Sequence, residues 1–366
     1  MDTDYAKRLA DTVMRRFPRA GLYPYKDWCY PQGYLLMGFA KLWEATKDAR
    51  YWDYIEEYCL SHVTAQGEIT GFKGSSMDDM MAGSILAWMY EQTGKERYGK
   101  ACRSVYEAFR DYPRTREGGF LHVRKGLPGQ MWVDGVFMGQ MFYCRYGSIF
   151  QEPACFDETS RQLALIHQYC HVHDGLLVHA YSEDGLAEWA GEDGKSPCVW
   201  SEGLGWYALI LSEVLDIVPE GHPAYATARK QLLELLAGLL KVQDTGGLWY
   251  QVVDRPDRAD NWCDVSGSAM FTYAFCHALR LGLVQGEAYE KAAAKGWAGV
   301  KSRIMENAEG LLDVYGACEG LCVQKRYEDY VHYPQKLNGQ EAVCGCLWAA
   351  AAMELPPGLS GVESQI

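Results

Sequence analysis

Apolar positions along this chain recur with helical spacing, and strand-like alternation is scarce and short. Two kinds of helical segment are predicted, and they take turns. One kind is apolar nearly all round and rich in Gly and Ala: Gly33–Thr46, Met80–Thr93, Asp134–Tyr146, Glu202–Val218, Ser266–Leu281 and Gln340–Glu354. The other has a charged face: Asp4–Phe17, Ala49–Thr64, Glu96–Tyr112, Asp157–His173, Ala224–Gln243 and Tyr289–Asn307. A helix without a polar face must be buried on all sides, whereas one with a charged stripe lies outside. Six of each in alternation predict a closed double ring of helices, an all-α (α/α)6 barrel.

The connections are unequal. Short links such as Gln92–Lys95 and Gly282–Glu287 follow the apolar helices. Long stretches precede them: 66–79, 114–133, 174–201, 244–265 and 310–338, carrying Gly, Trp and His. Long loops inside a compact domain are usually functional. A working face is therefore expected at the N-terminal ends of the inner helices, where the helix dipoles are positive. No Pro/Gly/Ser-rich linker or charge run divides the chain, so residues 1–366 are read as one domain.

Composition narrows the function. The formal charge of −13 argues against nucleic acid, which needs clustered Lys and Arg, and against anionic membrane surfaces. Aromatic residues make up 13%, with 12 Trp and 25 Tyr, which suits both a large core and the C–H faces of sugars. Thirteen cysteines scattered through helical patterns read as small buried hydrophobes rather than as a disulfide framework. Neither Cys318/Cys322 nor Cys344/Cys346 has the paired spacing of a zinc site, and the His171/His173 pair suits a surface or capping role, so no metal or cofactor is expected. The first residues lack the apolar core of a secretory leader, and no run approaches the ~20 apolar residues of a membrane span. A cytoplasmic protein is expected. Its oligomeric state is not legible.

The candidate chemistry centres on Asp134, at the start of an apolar helix between Trp132 and Gly135. An acid there is either an N-cap or a catalytic group held partly out of water. Several further stretches resemble glycoside hydrolase family 105, the unsaturated rhamnogalacturonyl hydrolases, and more distantly the family 88 unsaturated glucuronyl hydrolases. They are Met77–Gly83 with Tyr90–Gly94, Gly119–His122, Gln130–Gly135, His179–Glu183, Trp200–Trp206, Gln251–Arg258, Ser266–Phe271 and the helix after Asn338-Gly339. These lie in the family's order over most of the chain, Met-Trp-x-Asp-Gly and Ser-x-Ala-Met-Phe being the most specific.

That resemblance implies removal of a 4,5-unsaturated uronic acid from the non-reducing end of a short oligosaccharide, by hydration of its vinyl ether. It makes Asp134 the general acid, with a part in activating water, and Asp78 the second carboxylate. A carboxylic acid that donates near neutrality is expected to have a raised pKa, from apolar walls or from Asp78. His179, Trp132 and Trp206 would face the sugar, and His122, Arg124 and Lys336 could contact the uronate or its aglycone; core or loop packing is the competing role for each. Two positions depart from the family. Glu202 stands where many relatives carry Arg in Trp-x-Arg-x-x-Gly-Trp, and Ser76 replaces an Asn. Arg would attract an anionic substrate, and an ionised Glu would repel it. Either Arg124, Lys125 or Lys336 then holds the carboxylate, or the substrate differs from the family's usual one.

Three alternatives stay open on sequence. One is an inverting glycosidase using Asp134 with Glu202 or Asp78. Another is a sugar 2-epimerase, which would want His at the inner-helix ends. The last is an inactive sugar-binding module, against which Asp134 and Asp78 speak.

Overall fold

In the computed structural model the long apolar segments are helices, and they form a closed ring. The structure describes residues 4–24 and 28–356. The first three residues of the stretch read for a leader lie outside it. The inner helices are Tyr30–Thr46, Met77–Met81 continued as Gly83–Thr93, Val133–Phe150, Ser201–Ile217, Val265–Arg280 and Gln340–Glu354. Each packs on the next, and the sixth packs on the first. In the fourth, every residue from Ser201 to Leu215 is buried, as an all-round apolar helix requires.

The outer helices are Tyr5–Arg16, Ala49–His62, Glu96–Arg110, Ala154–Cys170, Pro223–Val242 and Glu287–Lys301. The N-terminal helix packs against the sixth and first inner helices, closing the outer layer. Tight left-handed residues end several inner helices: Lys47, Gly94 and Gln151 have φ of 55°, 61° and 55°. A residue in that conformation reverses the chain within a few positions, which keeps this end of the barrel short-looped.

The other end is built differently. Its long connections carry antiparallel two-stranded ladders, among them Gln130–Trp132 with Ala180–Ser182 and Trp249–Tyr250 with Cys263–Asp264. Strands of two or three residues are too short to leave an alternating pattern, so the helical reading passed over them. A second apolar cluster, of Cys198, Trp200, Val252, Cys318, Leu321, Tyr330 and Val331, lies among these loops. Among the described residues no helix is long and apolar enough to cross a membrane.

Candidate active site

A short ladder brings two distant residues together. Trp132 pairs with Ala180, and the Val133 N–H donates to the His179 carbonyl at 3.0 Å. Asp134 follows Val133 in the first turn of the helix, and His179 comes just before the partner strand. His179 Nε2 lies 3.2 Å from Asp134 Oδ2. The two atoms are buried and face each other as an ion-pair contact, and neither has a further hydrogen-bond partner among the described residues. Asp134 does not occupy the N-cap position of its helix. That position is Trp132, which offers no capping side chain.

The imidazole is held from behind. Its Nδ1 lies 3.0 Å from the Tyr330 hydroxyl, which accepts a hydrogen bond from the Gln324 N–H. This contact fixes the plane of the ring and turns Nε2 toward Asp134. Trp200 packs on the His179 ring at 4.4 Å between centroids. Burial alone would raise the pKa of Asp134, but the His179 and His122 imidazoles outweigh it and hold the carboxyl below its usual range. The expectation of a raised value is thus corrected for the free protein. Its apolar surroundings are as foreseen; the imidazoles decide the sign.

Asp78 approaches from the second inner helix. The cap there is Ser76, which accepts from the Asp79 N–H, while Asp79 accepts from the Ser75 N–H and hydroxyl at 2.9 and 2.6 Å. Asp78 is spared those duties. Its Oδ1 lies 3.8 Å from His122 Nε2, and the His122 ring stacks on Trp132 at 4.3 Å and 8°. Gly135 makes room for this stack, since a Cβ there would sit 3.1 Å from His122 Nδ1.

The ring's other side carries three more acids. Ser266 Oγ lies 2.6 Å from Glu202 Oε2 and 2.9 Å from Asp264 Oδ2. Asp264 caps the fifth inner helix through the Gly267 N–H and also accepts from the Cys318 N–H. Glu341 accepts from the Tyr30 hydroxyl at 2.5 Å and from Gln340 at 2.9 Å. Burial pushes the pKa of all three upward, and for Glu202 the charges of Glu341, Asp264 and Asp134 add to it. The close approach depends on Gly267: a Cβ there would fall 2.5 Å from the Ser201 carbonyl oxygen.

With this geometry in view, the comparisons decide the family. The family model described as Glycosyl Hydrolase Family 88 matches residues 5–355. The chain belongs to that family. It is also similar to a solved glycoside hydrolase from family 105 of C. acetobutylicum ATCC 824, with 30% identity and a TM-score of 0.89 over 96% of this chain and 99% of that one. Among curated proteins, Protein Atu3128 of Agrobacterium fabrum is 38% identical over 160 residues, 43% of this chain and 68% of its own length. The unsaturated rhamnogalacturonyl hydrolase YesR of Bacillus subtilis is 25% identical over 84% of each chain. This is a family 88/105 glycoside hydrolase, and the epimerase and binding-module readings fall away.

Within this family 88 fold, the structure gathers Asp134, Asp78, Trp132, His122, His179 and Glu202 at the N-terminal ends of the inner helices. It sets others apart. Trp206, 1% exposed, packs among Tyr30, Tyr34 and Phe137, which makes it part of the ring's core rather than a sugar wall. Arg124 donates to the carbonyls of Gly74, Asp111 and Ala108 and lies over the Tyr112 ring, so its donors are spent on holding a loop. Lys336 is exposed and bonds Glu319 at 3.1 Å. The sequence reading missed Tyr330, Trp200, Asp264 and Glu341. For the two acids a signal existed: the second to sixth inner helices each carry an acid at the cap or in the first turn.

Proposed function

We propose that this hydrolase removes a 4,5-unsaturated uronic acid from the non-reducing end of short, lyase-generated oligosaccharides, with Asp134 as general acid and base. The observation that carries this reading is the Asp134–His179 contact: two buried polar atoms that face each other at the loop-rich end of the barrel, with no other partner among the described residues, where a reacting group would complete them. Unpaired buried groups are costly and concentrate where a ligand supplies the missing bond. The matched relative YesR bears the same activity in its name.

The steps follow from the carboxyl's position. An arriving uronate displaces water and adds a like charge, both of which raise the pKa of Asp134, so it takes up a proton on binding. Asp134 gives that proton to C4, and the C4=C5 electrons supply the new bond, leaving an oxocarbenium at C5 and the ring oxygen. The Asp134 carboxylate then takes a proton from water as its oxygen adds to C5. The resulting hemiketal opens to a C5 ketone, and the freed C1 hemiacetal expels the aglycone as an alcohol. His179, positioned by Tyr330 and Trp200, keeps Asp134 ionised between turnovers.

A second reading draws on the opposite shifts at Asp134 and Glu202. Environments that push two carboxyls apart suit an acid–base pair, which would make an inverting glycosidase with Glu202 as acid and Asp134 as base. One assay separates the two. Purified protein should abolish the ultraviolet band of the conjugated C4=C5–carboxylate in lyase-made disaccharides; cleavage of saturated glycosides with that band untouched would overturn the first reading. We place the enzyme in the cytoplasm, in keeping with thirteen cysteines of which only Cys322 is exposed.

A further inference from the structure

Glu202 presents a contradiction if it is ionised. It is 2% exposed and shares the barrel mouth with Glu341, Asp264 and Asp134, all carboxyls, together with the Tyr30 and Tyr34 hydroxyls and the Cys318 thiol. An anionic sugar brought among ionised forms of these groups would meet mostly like charge, the His122 and His179 imidazoles facing Asp134 and Lys336 acting on Glu341 from the surface.

Counting hydrogens resolves it. The Ser266 hydroxyl owns one hydrogen, yet its oxygen lies within hydrogen-bond distance of two carboxyl oxygens, Glu202 Oε2 and Asp264 Oδ2. One hydrogen shared between two ionised carboxyls serves neither well, and a proton on one of them completes the set. Asp264 is committed as an acceptor, since each of its oxygens takes a backbone N–H, from Gly267 and Cys318. Glu341 is an acceptor too, with Tyr30 and Gln340 both donating to Oε1. The proton this arrangement requires therefore belongs to Glu202. Its Oε1 has no hydrogen-bond partner among the described residues, and the buried Tyr34 hydroxyl nearby also lacks one. Together with the unmet atoms of Asp134 and His179, these point to a ligand that completes the set.

We propose that Glu202 is a neutral carboxylic acid that reads the substrate as a hydrogen-bond donor, holding the uronate carboxylate without a cation. In the free enzyme that proton faces Ser266; on binding, the carboxyl rotates to turn it toward the sugar, and the Ser266 hydroxyl then donates to the Glu202 oxygen left facing it while Asp264 keeps its two backbone donors. This rests on the unsaturated-uronide reading above for the identity of the ligand. Burial, followed by the charges of Glu341 and Asp264, supports it by raising the Glu202 pKa. The sign follows: the donor is present below that raised value and lost as pH rises through it, when an anion takes its place.

The test combines kinetics with infrared spectroscopy on the intact enzyme. With a lyase-made unsaturated disaccharide, wild-type KM should rise by about 10–100-fold as pH is raised through the Glu202 titration, the worth of a hydrogen bond to a charged group. Glu202→Gln keeps a donor and cannot ionise, so it should flatten that profile and bind more tightly than wild type at the alkaline end. Glu202→Ala should raise KM throughout, with kcat less affected. A Gln variant as weak as the Ala variant at every pH would show that Glu202 acts as an anion and overturn the proposal. Independently of turnover, the wild-type infrared spectrum near neutral pH should contain a protonated-carboxyl C=O band that Glu202→Gln lacks. Persistence of that band in the variant would move the proton to another acid and overturn the assignment. If wild type leaves the disaccharide's ultraviolet band untouched, the reaction reading fails, while the infrared result still judges the proton.

Discussion

Asp134 shows how much a single side chain's role depends on what faces it. By sequence it is an acid in an apolar helix start, from which desolvation predicts a raised pKa. The His179 and His122 imidazoles reverse the sign. Replacing Asp134 by Asn keeps the shape and removes the titrating proton, so turnover should fall by at least the ~10²–10⁴-fold worth of general acid–base catalysis, with the thermal midpoint little changed. Full activity in that variant would leave Asp134 a structural residue. His179→Ala removes the main influence holding the Asp134 pKa down. The alkaline limb of kcat/KM should therefore move to higher pH, while kcat falls by up to about 100-fold from lost positioning. An unmoved limb would mean that the imidazole does not tune the acid.

Among the elements, the loops and the first turns of the inner helices do the assembling. The ladder of Gln130–Trp132 with Ala180–Ser182 fixes the register that puts Asp134 beside His179. Such a ladder leaves no periodic trace, so the partnership was invisible in the sequence although both residues were marked. The acids at successive inner-helix starts were legible as a recurrence, because a carboxylate is favoured at the positive end of a helix. What they do to one another was not legible. The fourth and fifth inner helices come close enough to join Glu202 to Ser266 because Gly267 has no side chain. Gly267→Ala should wedge those helix starts apart, destabilising the protein by about 1–3 kcal/mol, as overpacking does, and raising KM. Chemical denaturation and kinetics would check both, and wild-type values would show that the approach is slack.

For the molecule as a whole, the closed ring needs a means of holding its interior apart from the chemistry. Toward the C-terminal ends of the inner helices, Glu213 is buried and meets Lys41 at 2.7 Å, Arg145 at 2.5 Å and the Tyr273 hydroxyl at 2.7 Å, tying together the first, third, fourth and fifth inner helices. Burial opposes its charge, but Lys41 and Arg145 prevail and bring its pKa down to about 2. A depressed carboxyl stabilises the fold above its ordinary value of 4.5, and that contribution is lost as pH falls toward about 2. Glu213→Gln leaves two cations without their partner and should cost about 3–5 kcal/mol near neutrality. The loss should shrink in acid. An equal loss at all pH values would point to packing rather than charge.

The double ring, its alternation of inner and outer helices and the face bearing the long loops were all determined by the sequence, because burial on one side or on all sides writes a helical period that local pattern preserves. The family motifs marked Asp134, Asp78, His179 and Glu202 for the same site. Only the tertiary structure decided in which direction Asp134 and Glu202 depart from ordinary carboxyls. A carboxyl's charge state depends on which donors and charges lie within a few ångströms, and here those come from loops and helix starts far apart in the chain. Trp206 and Arg124 went to packing and loop support for the same reason: their neighbours, not their identities, set what they do.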